Sequence, residues 1–183
     1  MAGVERSDKE TAMTERPGAV TMKGSPLTLV GDEVKVGSAA PDFTALGTDL
    51  VPVTLKSFRG KAAVLATVPS LDTSVCDLET RRFNEEAARL GPDVRVLVVS
   101  MDLPFAQKRW CGAAGVKNVL TLSDHREAVV GRAYGVLIKE LRLLARAVFV
   151  VDREGVLRYI QVVKELSSEP EYAAVLEAVR KVV

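Results

Sequence analysis

Two buried-looking strands with a helical pattern between them constrain this chain more than any other feature. Residues 62–68 form a compact apolar run ended by Pro69, and residues 94–99 are β-branched and almost wholly apolar. That is the composition of strands buried on both faces. Between them Val75, Leu78, Phe83, Ala87 and Leu90 recur at close to helical spacing, and the pattern stops at Gly91-Pro92. Strands alternating with helices make the chain α/β.

The remaining elements extend the alternation. Residues 105–114 read as a short helix, 119–122 as a short strand, and 127–134 as a helix ended by Gly135. Residues 147–151 and 156–162 are two strands joined by the turn Asp152-Arg153-Glu154-Gly155, and 170–183 close the chain as a helix with Pro170 in its first turn. A terminal hairpin on such a series requires a mixed sheet, and the order of elements is that of a thioredoxin-like domain, a mixed central sheet flanked by helices. Upstream, residues 20–36 read as a β-hairpin extension around the turn signal Gly24-Ser25-Pro26, residues 37–41 as a connector, and 50–55 as a short strand. The first 17 residues are charged and lack periodicity. Residues 1–19 are therefore expected to be a disordered tail, with Met13 as a rival start, and 20–183 a single domain.

Composition excludes several classes. Lys plus Arg is 25 and Asp plus Glu is 24, a net charge of +1, so no single-sign field marks a nucleic-acid or polybasic membrane binder. No apolar run approaches the roughly 18 residues of a membrane span, and the first dozen residues lack a leader's apolar core, so a cytoplasmic protein is expected. There is one histidine, His125, and there are two cysteines, Cys76 and Cys111. These are too few for a four-ligand zinc site or a disulfide-stapled scaffold. The two thiols are either inert core residues or working ones.

Cys76 lies where the strand 62–68 hands over to the helix, at or within the first helical turn. Free backbone N–H groups and the helix dipole there favour a negative charge, and the thiolate is a cysteine's reactive form. Thr73, three residues earlier, is spaced so that a turn can bring its hydroxyl beside the sulfur, and Pro69 fixes the loop entry. The competing reading is a thiol packed under a helix, a common fate of free cysteine.

The surrounding residues decide between these readings. Pro69-x-x-x-Thr73-x-x-Cys76 has the form of the peroxiredoxin active-site motif, and the wider string Val68-Pro69-Ser70-Leu71-Asp72-Thr73-Ser74-Val75-Cys76 resembles the thiol peroxidase branch. A second string, Asp102-Leu103-Pro104-Phe105-Ala106-Gln107-Lys108-Arg109-Trp110-Cys111-Gly112, resembles the segment in which that branch carries its second cysteine. Ser74 departs from the family's usual proline, which loosens the loop but removes no reacting group.

The resemblance implies a function for each residue. Cys76 would attack a peroxide, and Cys111 would resolve the oxidised product as an intramolecular disulfide. The 35-residue separation excludes a CxxC pair. With each cysteine on its own helix, local unwinding is expected before that bond closes. Arg146, in Arg146-Ala147-Val148-Phe149-Val150-Val151-Asp152, resembles the family's arginine that reaches the cysteine; Arg142 is the nearby rival. His125 has no evident partner and reads as a solvated loop residue. The resemblance further implies thioredoxin as reductant, hydrogen peroxide and organic hydroperoxides as substrates, a homodimer, and no metal or organic cofactor. A thiol sensor using the same cysteines and a non-catalytic thioredoxin-fold module remain as alternatives.

Overall fold

The computed structural model describes residues 13–183. Its main sheet has seven strands in the order β10-β9-β5-β6-β7-β3-β4, built from β3 (Thr44–Leu46), β4 (Pro52–Thr54), β5 (Ala62–Thr67), β6 (Val94–Ser100), β7 (Leu120–Ser123), β9 (Ala147–Val151) and β10 (Leu157–Val162). β5, β6 and β7 run parallel, while β9 pairs antiparallel with β5, which makes the sheet mixed. A second, three-stranded sheet joins β1 (Glu15–Met22), β2 (Ser25–Val30) and β8 (Leu137–Ile138). The helices are α1 (Ser74–Leu90), α2 (Pro104–Ala114), α3 (Val129–Ala133) and α4 (Tyr172–Arg180).

Strand periodicity divides the core in two. On one face Ala62, Val64, Ala66 and Val68 of the β5 segment, with Val96 and Val98 of β6, pack with Cys76 and Phe83 of α1, Trp110 of α2, and Val175 and Val179 of α4. On the other face Ala63, Leu65, Leu97 and Phe149 pack with Val130 of α3 and with Val20, Leu29 and Leu137 of the small sheet. The strands read as continuous apolar runs because each face has its own cover.

The main departures from the sequence-based expectations are local. The expected tail over residues 1–19 is corrected at its C-terminal part: β1 begins at Glu15, and residues 1–12 lie outside the described residues. Glu15 and Arg16 pair across to Val30 and Leu29, and Arg16 also donates to Glu33 at 2.6 Å and to the Gly135 carbonyl. Partners that far along the chain stabilise a strand whose own residues look like a charged tail. The expected strand over 50–55 is β4 followed by a 3-10 turn, Leu55–Phe58. The short strands β3 and β8 carried too few residues for a periodicity to show.

The small sheet is laced to the segment after β10. Thr21 N–H donates to the Lys164 carbonyl at 2.6 Å and Leu166 N–H to the Thr21 carbonyl at 2.9 Å. The Glu165 carboxylate accepts from Lys23 N–H at 3.0 Å, Gly24 N–H at 3.1 Å and the Ser167 hydroxyl at 2.7 Å. These bonds, led by that from Ser167, hold its carboxyl down to about 2. Glu165→Ala should free the hairpin turn, so limited trypsin digestion is expected to cut after Lys23 roughly tenfold faster than in wild type.

Candidate active site

The β5 chain leaves the sheet through Val68 and Pro69, both buried, and α1 begins after Thr73. Thr73 has the extended backbone of an N-cap, and Asp77 N–H donates to its carbonyl at 2.9 Å. Cys76 is therefore the third residue of α1, among the first-turn amides that no helical carbonyl satisfies. Its side chain is fully buried. The Thr73 hydroxyl donates its proton to the Ser70 carbonyl at 3.0 Å rather than to the sulfur. That leaves the hydroxyl's lone pairs as acceptors for a protic ligand.

The loop is held by a carboxylate. Asp102, in the β6–α2 connection, accepts from the Ser70 hydroxyl at 2.7 Å, Leu71 N–H at 2.8 Å and the Ser100 hydroxyl at 2.8 Å. It supplies the rigidity that a serine at position 74 does not.

Sheet register brings the arginine to the same place. Thr67 at the end of β5 faces Ala147 at the start of β9, so Arg146 arrives at the carboxyl end of β5. It is 1% exposed. Its Nη2 donates to Cys76 Sγ at 3.4 Å, its Nε and Nη2 both donate to the Leu166 carbonyl at 3.2 and 2.9 Å, and its Nη1 donates to Glu79 Oε2. Burial works against the guanidinium charge, but Glu79 and then Cys76 more than offset it, raising its pKa. Arg142 is exposed, with a left-handed backbone.

Pro69, Thr73, Val75 and Arg146 line one pocket of about 170 Å3, with Met22 of the hairpin and Leu141 at its apolar side. Cys111 is elsewhere. It sits near the end of α2, half-buried, with Sγ 3.4 Å from the Thr121 hydroxyl of β7, and both thiols are free. The structure thus joins Cys76, Arg146, Pro69 and Thr73 at one site and leaves Cys111 on a neighbouring helix. His125 is half-buried and has a partner that the sequence did not disclose, the Ser123 hydroxyl 2.8 Å from Nδ1.

Residues 35–176 match the Redoxin family. The chain is 55% identical over 162 residues to the thiol peroxidase of Halalkalibacterium halodurans, covering 88% of this chain and 97% of that one. It is also 55% identical over 164 residues to the thiol peroxidase of Bacillus subtilis, covering 90% and 98%. The chain belongs to the thiol peroxidase family. A crystal structure of a peroxiredoxin-like protein from Aquifex aeolicus superposes with a TM-score of 0.85 at 44% identity, over 93% of this chain and 99% of its own. The thiol peroxidase from Chromobacterium violaceum, 21% identical, shares the fold with a TM-score of 0.79. Membership of the family makes the chain an oxidoreductase of the peroxiredoxin type that acts on a peroxide, on a thioredoxin-like fold.

The sequence did not reveal Glu79 or the Leu166 carbonyl. The available signal for Glu79 was its position three residues after Cys76, a spacing that puts a carboxylate on the buried face of α1. Glu79 is fully buried, and its Oε1 has no hydrogen-bond partner among the described residues. Burial pushes its carboxyl up to about 7, with Arg146 pulling against that rise. A carboxyl that binds its proton more tightly folded than unfolded stabilises the fold below its ordinary pKa. That contribution is lost as pH rises through about 7. Denaturant stability should therefore fall between about pH 5 and pH 7.5 by up to about 3 kcal/mol, and Glu79→Gln should lack that slope.

Proposed function

We propose that this chain reduces hydrogen peroxide and organic hydroperoxides by a two-cysteine cycle, with Cys76 as the peroxidatic residue and Cys111 as the resolving one. The observation that carries this reading is the Arg146 guanidinium, 3.4 Å from a Cys76 sulfur set in the first turn of α1. A buried thiolate is costly without a partner, and Arg146 is a partner that cannot lose its charge.

The Cys76 thiolate attacks the outer peroxide oxygen. An S–O bond forms as the O–O bond breaks, leaving a sulfenic acid on Cys76 and releasing an alkoxide or hydroxide that takes up a proton. Arg146 and the first-turn amides stabilise the charge that moves onto the leaving oxygen, while Thr73 accepts from the peroxide O–H and orients it. Pro69, in the wall of the same pocket, shields the sulfur from water. The Cys111 thiol then attacks the Cys76 sulfur, an S–S bond replaces the S–O bond, and water leaves.

A dithiol protein must reduce that disulfide, because the chain has no CxxC of its own. We assign this role to thioredoxin, place the cycle in the cytoplasm where such a reductant keeps both thiols reduced, and take a homodimer as the assembly on family grounds. Among the described residues no helix is long and apolar enough to cross a membrane.

Peroxide consumption coupled to thioredoxin and its reductase tests the cycle. Cys76→Ser is expected to be inactive, and residual turnover in that variant would overturn the assignment. Cys111→Ser should form a dimedone-trappable sulfenic acid yet fail to recycle with thioredoxin. Arg146→Lys, which cannot hold Glu79, Leu166 and Cys76 together, should lower kcat/KM for peroxide roughly a hundredfold. A thiol sensor would instead give slow or single-turnover consumption in the wild type.

A further inference from the structure

The neighbours of the two cysteines are joined to each other. Asp77 follows Cys76 and Trp110 precedes Cys111, and the Trp110 indole N–H donates to Asp77 Oδ1 at 3.0 Å. Arg81, one turn along α1, donates from Nε to Asp77 Oδ2 at 2.9 Å and from Nη1 to the Ala114 carbonyl at 3.0 Å. Its guanidinium lies 5.8 Å from the centroid of the Trp110 ring. Ala114 is the last residue of α2, so Arg81 caps the carbonyl end of that helix from outside, where a cation is favoured.

The turn being held is weak by itself. Gly112 follows Cys111 inside α2, where glycine is the least favourable residue after proline. Nothing requires a glycine there. Its backbone is not in the left-handed region, and outside the helix's own backbone no heavy atom lies within 4 Å of the position a Cβ would take. The turn also ends at once, in a left-handed Gly115 whose N–H donates to the Cys111 carbonyl.

We propose that Asp77, Arg81 and Gly112 are positioning residues for the second half of the reaction. Asp77 and Arg81 latch the last turn of α2 onto α1 while Cys76 meets peroxide, and Gly112 keeps that turn ready to unwind. The proposal rests on the reading of Cys111 as the resolving thiol. The two sulfurs face different partners, Cys76 the Arg146 guanidinium and Cys111 the Thr121 hydroxyl of β7. Cys111 must therefore give up Thr121 to reach Cys76, and in this proposal it does so as the last turn of α2 unwinds. That movement breaks the Trp110–Asp77 and Arg81–Ala114 contacts. The Cys111 sulfur then bonds to the Cys76 sulfur, the S–O bond of the sulfenic acid breaks, and the hydroxide lost takes the thiol proton and departs as water. No oxidant beyond the peroxide already consumed is needed.

Rapid mixing of the full-length protein with peroxide, followed by acid quench and mass spectrometry, separates sulfenic acid formation from disulfide formation. Arg81→Met is expected to speed disulfide formation about three- to tenfold, the size of one or two lost exposed hydrogen bonds. Gly112→Ala, which strengthens the helix, should slow it about three- to fivefold and accumulate sulfinic acid on Cys76 at high peroxide. Both should leave sulfenic acid formation within about twofold of wild type. Opposite shifts confined to one phase are not the signature of a general loss of structure. Wild-type resolution rates in both variants, or parallel losses in both phases, would overturn the latch while leaving the two-cysteine cycle standing. Absence of any Cys76–Cys111 disulfide in the wild type would overturn the cycle and the latch with it.

Discussion

A buried guanidinium organises this molecule. Arg146 is held at once by the Leu166 carbonyl, the Glu79 carboxylate and the Cys76 sulfur, with almost no solvent to share the charge. Replacing the arginine would leave Glu79 buried with no countercharge, and breaking a buried pair in that way costs about 3–5 kcal/mol. Each partner comes from a different place in the chain: Cys76 and Glu79 from the first turns of α1, Leu166 from the segment after β10. The site therefore exists only when α1, β9 and that segment are docked together.

The sheet explains how they dock. β5 delivers the loop and the start of α1 at its carboxyl end, the usual place for sites in α/β folds. β9, antiparallel to β5, starts at that same end, so Arg146 needs only to precede its first residue. The small sheet then reaches across. Thr21 and Glu165 tie the hairpin to the strand of chain that carries Leu166, which brings Met22 to the rim of the pocket. An extension that looks peripheral in sequence thus supplies part of the pocket wall.

Asp102 adds a second anchorage. Its carboxylate fastens the Ser70-Leu71 backbone from the connection that leads into α2, so the loop before Cys76 and the helix bearing Cys111 share one support. Gln107 of α2 extends it, donating to the Ser100 hydroxyl at 3.0 Å and the Leu122 carbonyl at 2.9 Å. The N-terminal part of α2 is thereby fixed to the sheet, while its C-terminal turn is held to α1 through Trp110 and Arg81 and touches β7 through Cys111 and Thr121. That division suits a helix whose far end carries a thiol that has to travel.

Sequence by itself determined what short-range patterns encode. The apolar runs of β5, β6 and β9, the helical spacing through Phe83, and the Pro69, Thr73 and Cys76 spacing are all readable along the chain, because each is set by neighbours within a few residues. Arg146 was legible only through its resemblance to a family segment, since an arginine before a strand is otherwise an ordinary edge charge. Only the tertiary structure decided the rest. It made a strand of residues 15–19, which open on the charged pair Glu15 and Arg16, turned the Thr73 hydroxyl to Ser70, paired Arg146 with Glu79, and linked Asp77 to Trp110. These interactions join residues distant in the chain or turn on a side chain's rotamer, and their energies come from burial and register that no local pattern contains.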